Sequence, residues 1–269
     1  MAEERVFLKL GGSLITDKRR ERRARIRRIR RLAVEIREAL AQRPALRLLV
    51  GHGSGSFGHA AAARTGIHRG VATPEDWRGF AEVALAAAEL HMVVRRLFHA
   101  AGLSVLSLPP SALAEAVGGQ PIAIAVWPFQ QAWAVGLIPL TYGDVVFDRE
   151  RGVAILSTEA VFDALLEALR PTRILLVGEV PGVLRDGPEG RRVIPHLTPA
   201  RFAEIAAAVG GSHGVDVTGG MRAKLELAFR WVARLPDLEV WILSGRRPGA
   251  LREALLFPER IRGTRITLR

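Results

Sequence analysis

The chain has 269 residues, 49% of them apolar, and its 39 Lys and Arg residues outnumber the 27 Asp and Glu residues, giving a formal net charge of +12. This length can bury one substantial core or two closely merged lobes, and the positive charge favours anionic partners. The absence of cysteine excludes disulfide bonds, thiolate metal sites and a cysteine nucleophile. The sequence shows no basic and apolar leader and no apolar run of membrane-spanning length, so we expect a cytoplasmic protein.

Strand-like apolar runs alternate with longer helical patterns along the chain. The predicted strands are residues 5–10, 46–50, 103–108, 137–140, 144–148, 152–156, 172–178, 238–243 and 264–268. One predicted helix ends near Gln42, and others span about 54–64, 74–101 and 158–169. Such alternation predicts an α/β protein with a parallel, helix-covered sheet. Glycine and proline are evenly spread, which indicates one continuous fold with a second lobe starting near Arg170.

An arginine-rich segment follows the first strand, with ten basic residues among the fourteen from Lys18 to Arg31. Such a run can bind nucleic acid. However, apolar residues recur within and beyond it at helical spacing, namely Ile26, Ile29, Leu32, Ala33 and Ile36. We therefore interpret the segment as the solvated face of an amphipathic helix, and nucleic-acid binding stays the alternative from a different functional class.

Glycine-rich turns follow the first two predicted strands. LKLGGSLIT leaves strand one through Gly11 and Gly12 into Ser13, and GHGSGSFGH follows strand two. Bare amides in such turns can approach a phosphate, although each turn alone is equally explained as a tight strand-to-helix connection. Neither turn matches a Walker A motif or a dinucleotide fingerprint. Two such loops on neighbouring strands predict that phosphate groups of two molecules meet there, which suits phosphoryl transfer.

A third glycine turn occurs in DVTGGMRAKLELA, where Gly219 and Gly220 precede a predicted helix that includes Lys224. Taken alone, Lys224 is most simply an ordinary surface lysine. Together, however, KLGGS, GHGSGSFGH and TGGMRAK resemble the amino acid kinase superfamily in order and spacing, over almost the whole chain. The resemblance implies a three-layer αβα sandwich with a central, mainly parallel sheet. It also implies an acceptor-binding lobe over about 1–169 and an ATP-binding lobe over about 170–269.

Within that superfamily, the histidine that ends SFGH, His59, resembles the one by which isopentenyl phosphate kinases bind the acceptor phosphate. Fosfomycin kinases share a similar GSFGH element, so a kinase of another small phosphate or phosphonate is the alternative. The resemblance implies direct in-line transfer from ATP to isopentenyl phosphate, a step of isoprenoid biosynthesis, by a homodimer. It further implies Mg²⁺ held mainly by ATP phosphates and water, because no residue set in the sequence is typical of a metal cage.

The resemblance assigns roles to individual positions. Three lysines would neutralise the migrating phosphoryl group and its reactants, namely Lys9, Lys18 and Lys224. The ATP side would include Gly11, Gly12, Ser13, Gly55 and Gly219, mostly through backbone amides, which need no reorganisation during the reaction. The acceptor side would include Gly53, Ser54, Gly55 and His59, whereas His52 is expected to pack or cap.

Several positions depart from the family pattern. Ser54 stands where relatives have a third glycine, and Glu159 is the only acid aligned with an aspartate that orients the active-site lysines. Glu159 is equally explained as a first-turn acid that a helix dipole stabilises. Glu179 and Gly182 stand near the expected adenosine position, and Asp144 matches a Gly-Asp element near the acceptor or caps a turn.

A prenyl acceptor also requires an apolar pocket. The predicted helix over 74–101 offers a stripe of apolar residues at helical spacing, namely Phe80, Val83, Ala84, Ala87, Leu90 and Val94. The small alanines would leave room for a tail, although sequence alone does not separate pocket residues from core residues.

Overall fold

The computed structural model describes residues 3–185, 192–208 and 219–269. The strands are β1 Glu4–Leu10, β2 Leu46–His52, β3 Val105–Ser107, β4 Ala114–Val117, β5 Gln120–Ile124, β6 Ile138–Tyr142, β7 Asp144–Asp148, β8 Gly152–Leu156, β9 Arg173–Gly178, β10 His196–Leu197, β11 Glu239–Ser244 and β12 Gly263–Ile266. The helices are α1 Gly12–Ile15, α2 Ile26–Gln42, α3 Gly55–Thr65, α4 Pro74–Ala100, α5 Pro110–Leu113, α6 Trp127–Ala134, α7 Thr158–Leu169, α8 Pro199–Ala208, α9 Gly219–Arg234 and α10 Ala250–Leu256. Single 3-10 turns occur at Ile67–Arg69 and Pro258–Arg260.

The main sheet has the strand order β10-β12-β11-β9-β1-β2-β6-β3 within the described residues. Its pairs are parallel except for β11 with β12. In a parallel sheet the carboxyl ends of neighbouring strands meet at one edge, where ligands bind. The ends of β1, β2, β6, β9 and β11 therefore meet at the same edge.

Helices cover both faces of this sheet and enclose two separate cores. On one face, α2, α4 and α10 pack against residues such as Leu8 and Leu48. On the other face, α6, α7 and α9 pack against Phe7 and Leu49. Alternate residues of β1 and β2 thus point into opposite cores, as strand geometry requires. This confirms the predicted three-layer αβα sandwich with a mainly parallel central sheet.

A smaller sheet of order β5-β4-β7-β8 stands beside the main one. It includes the predicted hairpin of β7 and β8, which pair antiparallel. The β4–β5 hairpin and the short helices α1, α5 and α6 were not predicted, because each is too short to show a full period of its pattern.

The longer helices confirm the sequence periodicity, with the end of α2 at Gln42 and the span Thr158–Leu169 as expected. One detail of the α2 stripe is wrong. Ile26 is 40% exposed, whereas Ile29, Leu32 and Ile36 are fully buried. Ile26 is the first residue of the helix, so it lies beyond the end of the buried core. In the described part of the chain, no helix is long and apolar enough to cross a membrane.

Candidate active site

The first two glycine loops lie against each other at the carboxyl ends of β1 and β2. A Cβ atom placed on Gly12 would lie 2.7 Å from the backbone of Gly55, so a side chain there would force the loops apart. Gly55 itself has a φ of +52°, in the left-handed region that favours glycine. The two loops are thus packed backbone to backbone, and short helices α1 and α3 begin directly from them.

The backbone amides of these loops are not equally available. The Gly11 amide donates to the Val177 carbonyl at 2.8 Å, and the Gly53 amide donates to the Leu10 carbonyl at 3.1 Å. Both hydrogen bonds extend the sheet beyond the ends of its strands. The prediction that the Gly11 and Gly53 amides hold phosphate is therefore wrong for the geometry seen here.

Four other amides stay available for an anion. Gly12 and Ser13 open α1, and Ser54 and Gly55 open α3, where backbone N–H groups have no intrahelical acceptor. The described part of the chain pairs none of these four amides with an acceptor. The site thus presents two sets of amides, one from each loop.

Lys9 and Glu159 form an ion pair in the floor of this site. Lys9 is near the end of β1, and Glu159 is in the first turn of α7, which the Ser157 hydroxyl caps by accepting from the Ala160 amide at 3.1 Å. The Lys9 Nζ donates to Glu159 Oε1, and both side chains are about nine-tenths buried. Glutamate at position 159 is therefore long enough to pair with Lys9. The sequence alone left open whether it pairs with the lysine or only caps the helix.

Lys224 joins the same cluster from the second turn of α9. The helix begins at Gly219, whereas the sequence analysis placed both glycines before it. Burial lowers the pKa of Lys224, the positive charges of Lys9 and Lys18 lower it further, and the charge of Glu159 acts in the opposite direction. Lys18 lies exposed in the turn after α1. Residues 216–218 of the third motif lie outside the described residues.

These three residues are all the lysines of the chain, although Lys and Arg together number 39. Every other residue of the 39 is arginine, and lysine occurs only where three ammonium groups converge. A compact ammonium group suits a crowded anion site better than the larger planar guanidinium. The presence of only three lysines among 39 Lys and Arg residues is therefore a sequence signal for the site, and the motif analysis did not use it.

His59 lies on the exposed side of α3, one turn after the second glycine loop. Its Nδ1 donates to the Gly55 carbonyl at 2.7 Å, which fixes the ring and leaves Nε2 directed away from the backbone. The ring thus has one nitrogen to offer a ligand beside the amides of Ser54 and Gly55.

Asp144 is buried at the start of β7, next to the second loop. Its carboxylate accepts from the backbone amides of Val145 at 2.9 Å and Ser111 at 3.3 Å, and burial raises its pKa. Through these two hydrogen bonds, Asp144 holds the backbone at Ser111 and Val145 in place beside the site. A direct contact with an acceptor stays a prediction.

Glu179 follows β9 at the same edge, and its Oε1 accepts from Arg25 at 2.7 Å and from Arg28 at 2.9 Å. Gly182 lies against β12, where a Cβ would be 2.7 Å from the Thr264 Oγ1. The structure thus gives Gly182 a packing reason to be glycine. Nucleotide contacts of Glu179 and Gly182 stay predictions.

The arginine-rich segment is tied into the protein by these and other ion pairs. Arg31 pairs with the buried Glu35 at 2.7 Å, and Glu35 in turn accepts from the Leu251 amide at the start of α10. Together with the buried face of α2, these contacts favour the structural interpretation over a nucleic-acid surface.

The apolar stripe of α4 divides into two parts. Leu90 and Val94 are fully buried in the core beneath the main sheet, so their assignment to a tail pocket is wrong. Val83 is also buried, in a small cluster with Val145 and Val153, and Ala87 is 1% exposed. Phe80 and Ala84 are half-buried beside that cluster and remain candidates for a pocket wall.

This arrangement of a parallel sheet, two apposed glycine loops and convergent lysines is that of a small-molecule kinase. The amino acid kinase family model matches residues 4–244. The isopentenyl phosphate kinase of Methanothermobacter thermautotrophicus is 31% identical over 97% of this chain and 98% of its own length. The chain belongs to the amino acid kinase family.

Two further comparisons agree. The isopentenyl phosphate kinase of Methanocaldococcus jannaschii is 27% identical over 93% of this chain and 94% of its own length. An X-ray structure of isopentenyl phosphate kinase matches with a TM-score of 0.81 at 28% identity, covering 98% of this chain and 100% of that chain.

Proposed function

We propose that this protein transfers the γ-phosphoryl group of ATP to isopentenyl phosphate, giving isopentenyl diphosphate. The observation that supports it best is the apposition of two amide-lined loops beside the three lysines. Each loop can hold one phosphate-bearing reactant, and loop contact brings those reactants together. The near full-length similarity to isopentenyl phosphate kinases supports the identity of the acceptor.

The acceptor phosphate binds at the second loop. Within the residues that the structure describes, the Ser54 and Gly55 amides are unpaired at the start of α3, where the helix dipole also favours an anion, and the His59 Nε2 is free on the same helix one turn later. A protonated His59 ring would donate a charge-assisted hydrogen bond from Nε2 to the phosphate.

The ATP phosphates bind at the first loop through the Gly12 and Ser13 amides. Lys9 and Lys224 approach the transferring group from β1 and α9, and Lys18 adds charge from the turn above. Because both reactants are anions, positive charge around the migrating phosphoryl group lowers the main barrier to their approach. Glu159 keeps Lys9 oriented, and its negative charge favours the protonated form of Lys224.

Mg²⁺ enters in this proposal as part of the MgATP substrate. Among the described residues, no group of three or more His, Asp or Glu side chains could hold a metal ion, and Glu159 is already paired with Lys9. The unpaired amides and the lysines of the site suit ATP phosphates that bring their own ion, and no step is assigned to a protein-held metal.

Purified protein should release ADP in a coupled assay over a panel of small phosphates and phosphonates with MgATP. We expect turnover with isopentenyl phosphate, identified by mass spectrometry as isopentenyl diphosphate. Activity on fosfomycin and none on any prenyl phosphate would contradict the proposal.

The proposal also includes a homodimer, a division into two lobes near residue 170 and a cytoplasmic location. Size-exclusion chromatography with light scattering tests whether the protein is a homodimer.

A further inference from the structure

A chain of buried hydrogen bonds lies directly behind the second glycine loop. It comprises His52 at the end of β2, His91 on α4 and Ser107 at the end of β3, and we call it the histidine network. The His52 Nε2 is 3.1 Å from the His91 Nδ1, and the His91 Nε2 is 2.8 Å from the Ser107 Oγ. At its other end, the His52 Nδ1 is 3.2 Å from the Gly53 carbonyl oxygen.

The contact with the Gly53 carbonyl determines which ring nitrogens of His52 and His91 carry protons. A carbonyl oxygen can only accept, so the His52 Nδ1 donates to Gly53. A neutral imidazole has one N–H group, so the His52 Nε2 accepts from the His91 Nδ1. The His91 Nε2 then accepts the Ser107 hydroxyl proton. Burial lowers the pKa of His52 to about 4. Burial, together with repulsion from a protonated His52 and from Arg95, lowers the pKa of His91 to about 3, so both rings are neutral near pH 7.

Tyr142, at the end of β6, fixes the planes of the two rings. Its ring stacks on His91 with centroids 4.2 Å apart and on His52 with centroids 5.7 Å apart. Packing thus holds the two ring planes in the orientation that the hydrogen bonds to the Gly53 carbonyl require.

This carbonyl belongs to the peptide bond between Gly53 and Ser54. In a trans peptide, the carbonyl oxygen and the amide hydrogen point in opposite directions. Since His52 holds the oxygen towards the protein interior, the Ser54 amide points to the open side of the loop. No acceptor in residues 3–185, 192–208 or 219–269 takes that amide, so it is available to an anion.

We propose that His52 and His91 are positioning residues for acceptor binding. The histidine network holds the Gly53–Ser54 peptide in the orientation that directs the Ser54 amide at the acceptor phosphate. Neither ring touches the substrate. The inference rests on the proposed function and adds to it the residues that pre-organise the acceptor loop.

Two substitutions of His52 separate positioning from packing. His52→Asn keeps an N–H group near the place of Nδ1, whereas His52→Leu keeps similar bulk and removes the donor. We expect His52→Leu to raise the KM for isopentenyl phosphate about tenfold, because the acceptor phosphate loses one hydrogen bond from the Ser54 amide. The KM for ATP should stay within about twofold of wild type. His52→Asn should recover most of the acceptor affinity. Equal effects of the two variants, or equal rises in both KM values, would overturn the proposal.

The orientation of the peptide is also measured without substrate, from the amide signal of Ser54 in a ¹⁵N–¹H NMR spectrum. We expect this signal to shift in His52→Leu and to stay near its wild-type position in His52→Asn. If His52→Leu does not fold, the pair His91→Leu and His91→Asn provides the same comparison, and an unmoved Ser54 signal there overturns the proposal. Failure of the wild-type protein to use isopentenyl phosphate would refute the proposed function, whereas the Ser54 signal would still decide the positioning role.

Discussion

The ammonium group of Lys9 donates a hydrogen bond to the carboxylate of Glu159, which is 150 residues further along the chain. β1 and the start of α7 meet at the edge of the main sheet to make this contact. The side chains are 12% and 10% exposed, so the pair is shielded from most solvent screening. Glu159 also stabilises the charge of Lys224, and one carboxylate thus faces two partly buried lysines.

Replacement of Glu159 by Gln should shift the pH profile of kcat. Lys224 must be protonated to stabilise the transition state, so activity falls as pH rises through its pKa. That pKa is already lowered by burial and by Lys9 and Lys18, and removal of the Glu159 charge lowers it further. The alkaline limb of kcat in Glu159→Gln should therefore lie at lower pH than in wild type. An alkaline limb at unchanged pH would show that Glu159 does not tune Lys224.

Loss of either buried lysine should reduce turnover far more than substrate binding. Lys9→Ala and Lys224→Ala should lower kcat roughly 100-fold or more, because both charges act on the transition state. Arg27→Ala, which removes an exposed charge from α2, is the matched control and should keep the wild-type kcat. A folded Lys9 or Lys224 variant with wild-type turnover would refute that residue's role.

His59→Ala should weaken use of the acceptor while ATP binding persists. The lost charge-assisted hydrogen bond is worth roughly 1.5 to 3 kcal/mol, about a 10- to 100-fold fall in kcat/KM for isopentenyl phosphate. The control is His68→Ala, which removes an exposed histidine from the turn that follows α3. Steady-state kinetics with each substrate varied in turn test this, and identical acceptor kinetics in His59→Ala and His68→Ala would contradict it.

The histidine network should make the folded protein sensitive to acid. Between pH 6.5 and about 4 the unfolded chain binds a proton at His52 that the folded protein excludes, so the free energy of unfolding decreases as pH falls. Each such histidine contributes up to about 1.4 kcal/mol per pH unit in that window. Chemical denaturation at several pH values should show that the free energy of unfolding changes less steeply with pH in His91→Asn than in wild type. Parallel slopes would mean that His91 is not buried neutral.

Enlargement of the half-buried Ala84 should shorten the longest usable acceptor. In Ala84→Leu we expect kcat/KM for a ten-carbon prenyl phosphate to fall more than for the five-carbon acceptor, by about 0.8 kcal/mol for each methylene no longer buried. Ala87 is 1% exposed, so Ala87→Leu should lower stability instead. The exposed Leu85 of the same helix gives the control variant Leu85→Ala. Equal losses for both chain lengths in Ala84→Leu would assign this face to the core.

The sequence was sufficient to predict the layers of the fold and the edge of the sheet that holds the site. Strands β1 and β2 have core residues on both faces and therefore appear as mostly apolar runs followed by glycine turns, a local signal that needs no tertiary information. The short β4–β5 hairpin gives no such signal, because its stability depends on pairing with β7.

The detailed chemistry of the loops could not be predicted, because it depends on partners distant in sequence. Gly11 and Gly12 look alike in the motif, yet only Gly11 lies against the Val177 carbonyl 166 residues away. His52 could be placed in the interior, but its hydrogen bond to His91 requires the position of α4. The reach of Glu159 to Lys9 likewise depends on how α7 packs against β1.

The confinement of lysine to one place makes the protein a natural target for chemical labelling. Apart from the amino terminus, the only primary amines are those of Lys9, Lys18 and Lys224, and all three belong to the same charge cluster. Apart from the amino terminus, an amine-selective reagent would therefore react only at the site and leave the arginine-covered surface unmodified. Buried Lys9 and Lys224 should react slowly and exposed Lys18 quickly, so labelling rates followed by mass spectrometry would report on occupancy of the site without any enzymatic assay.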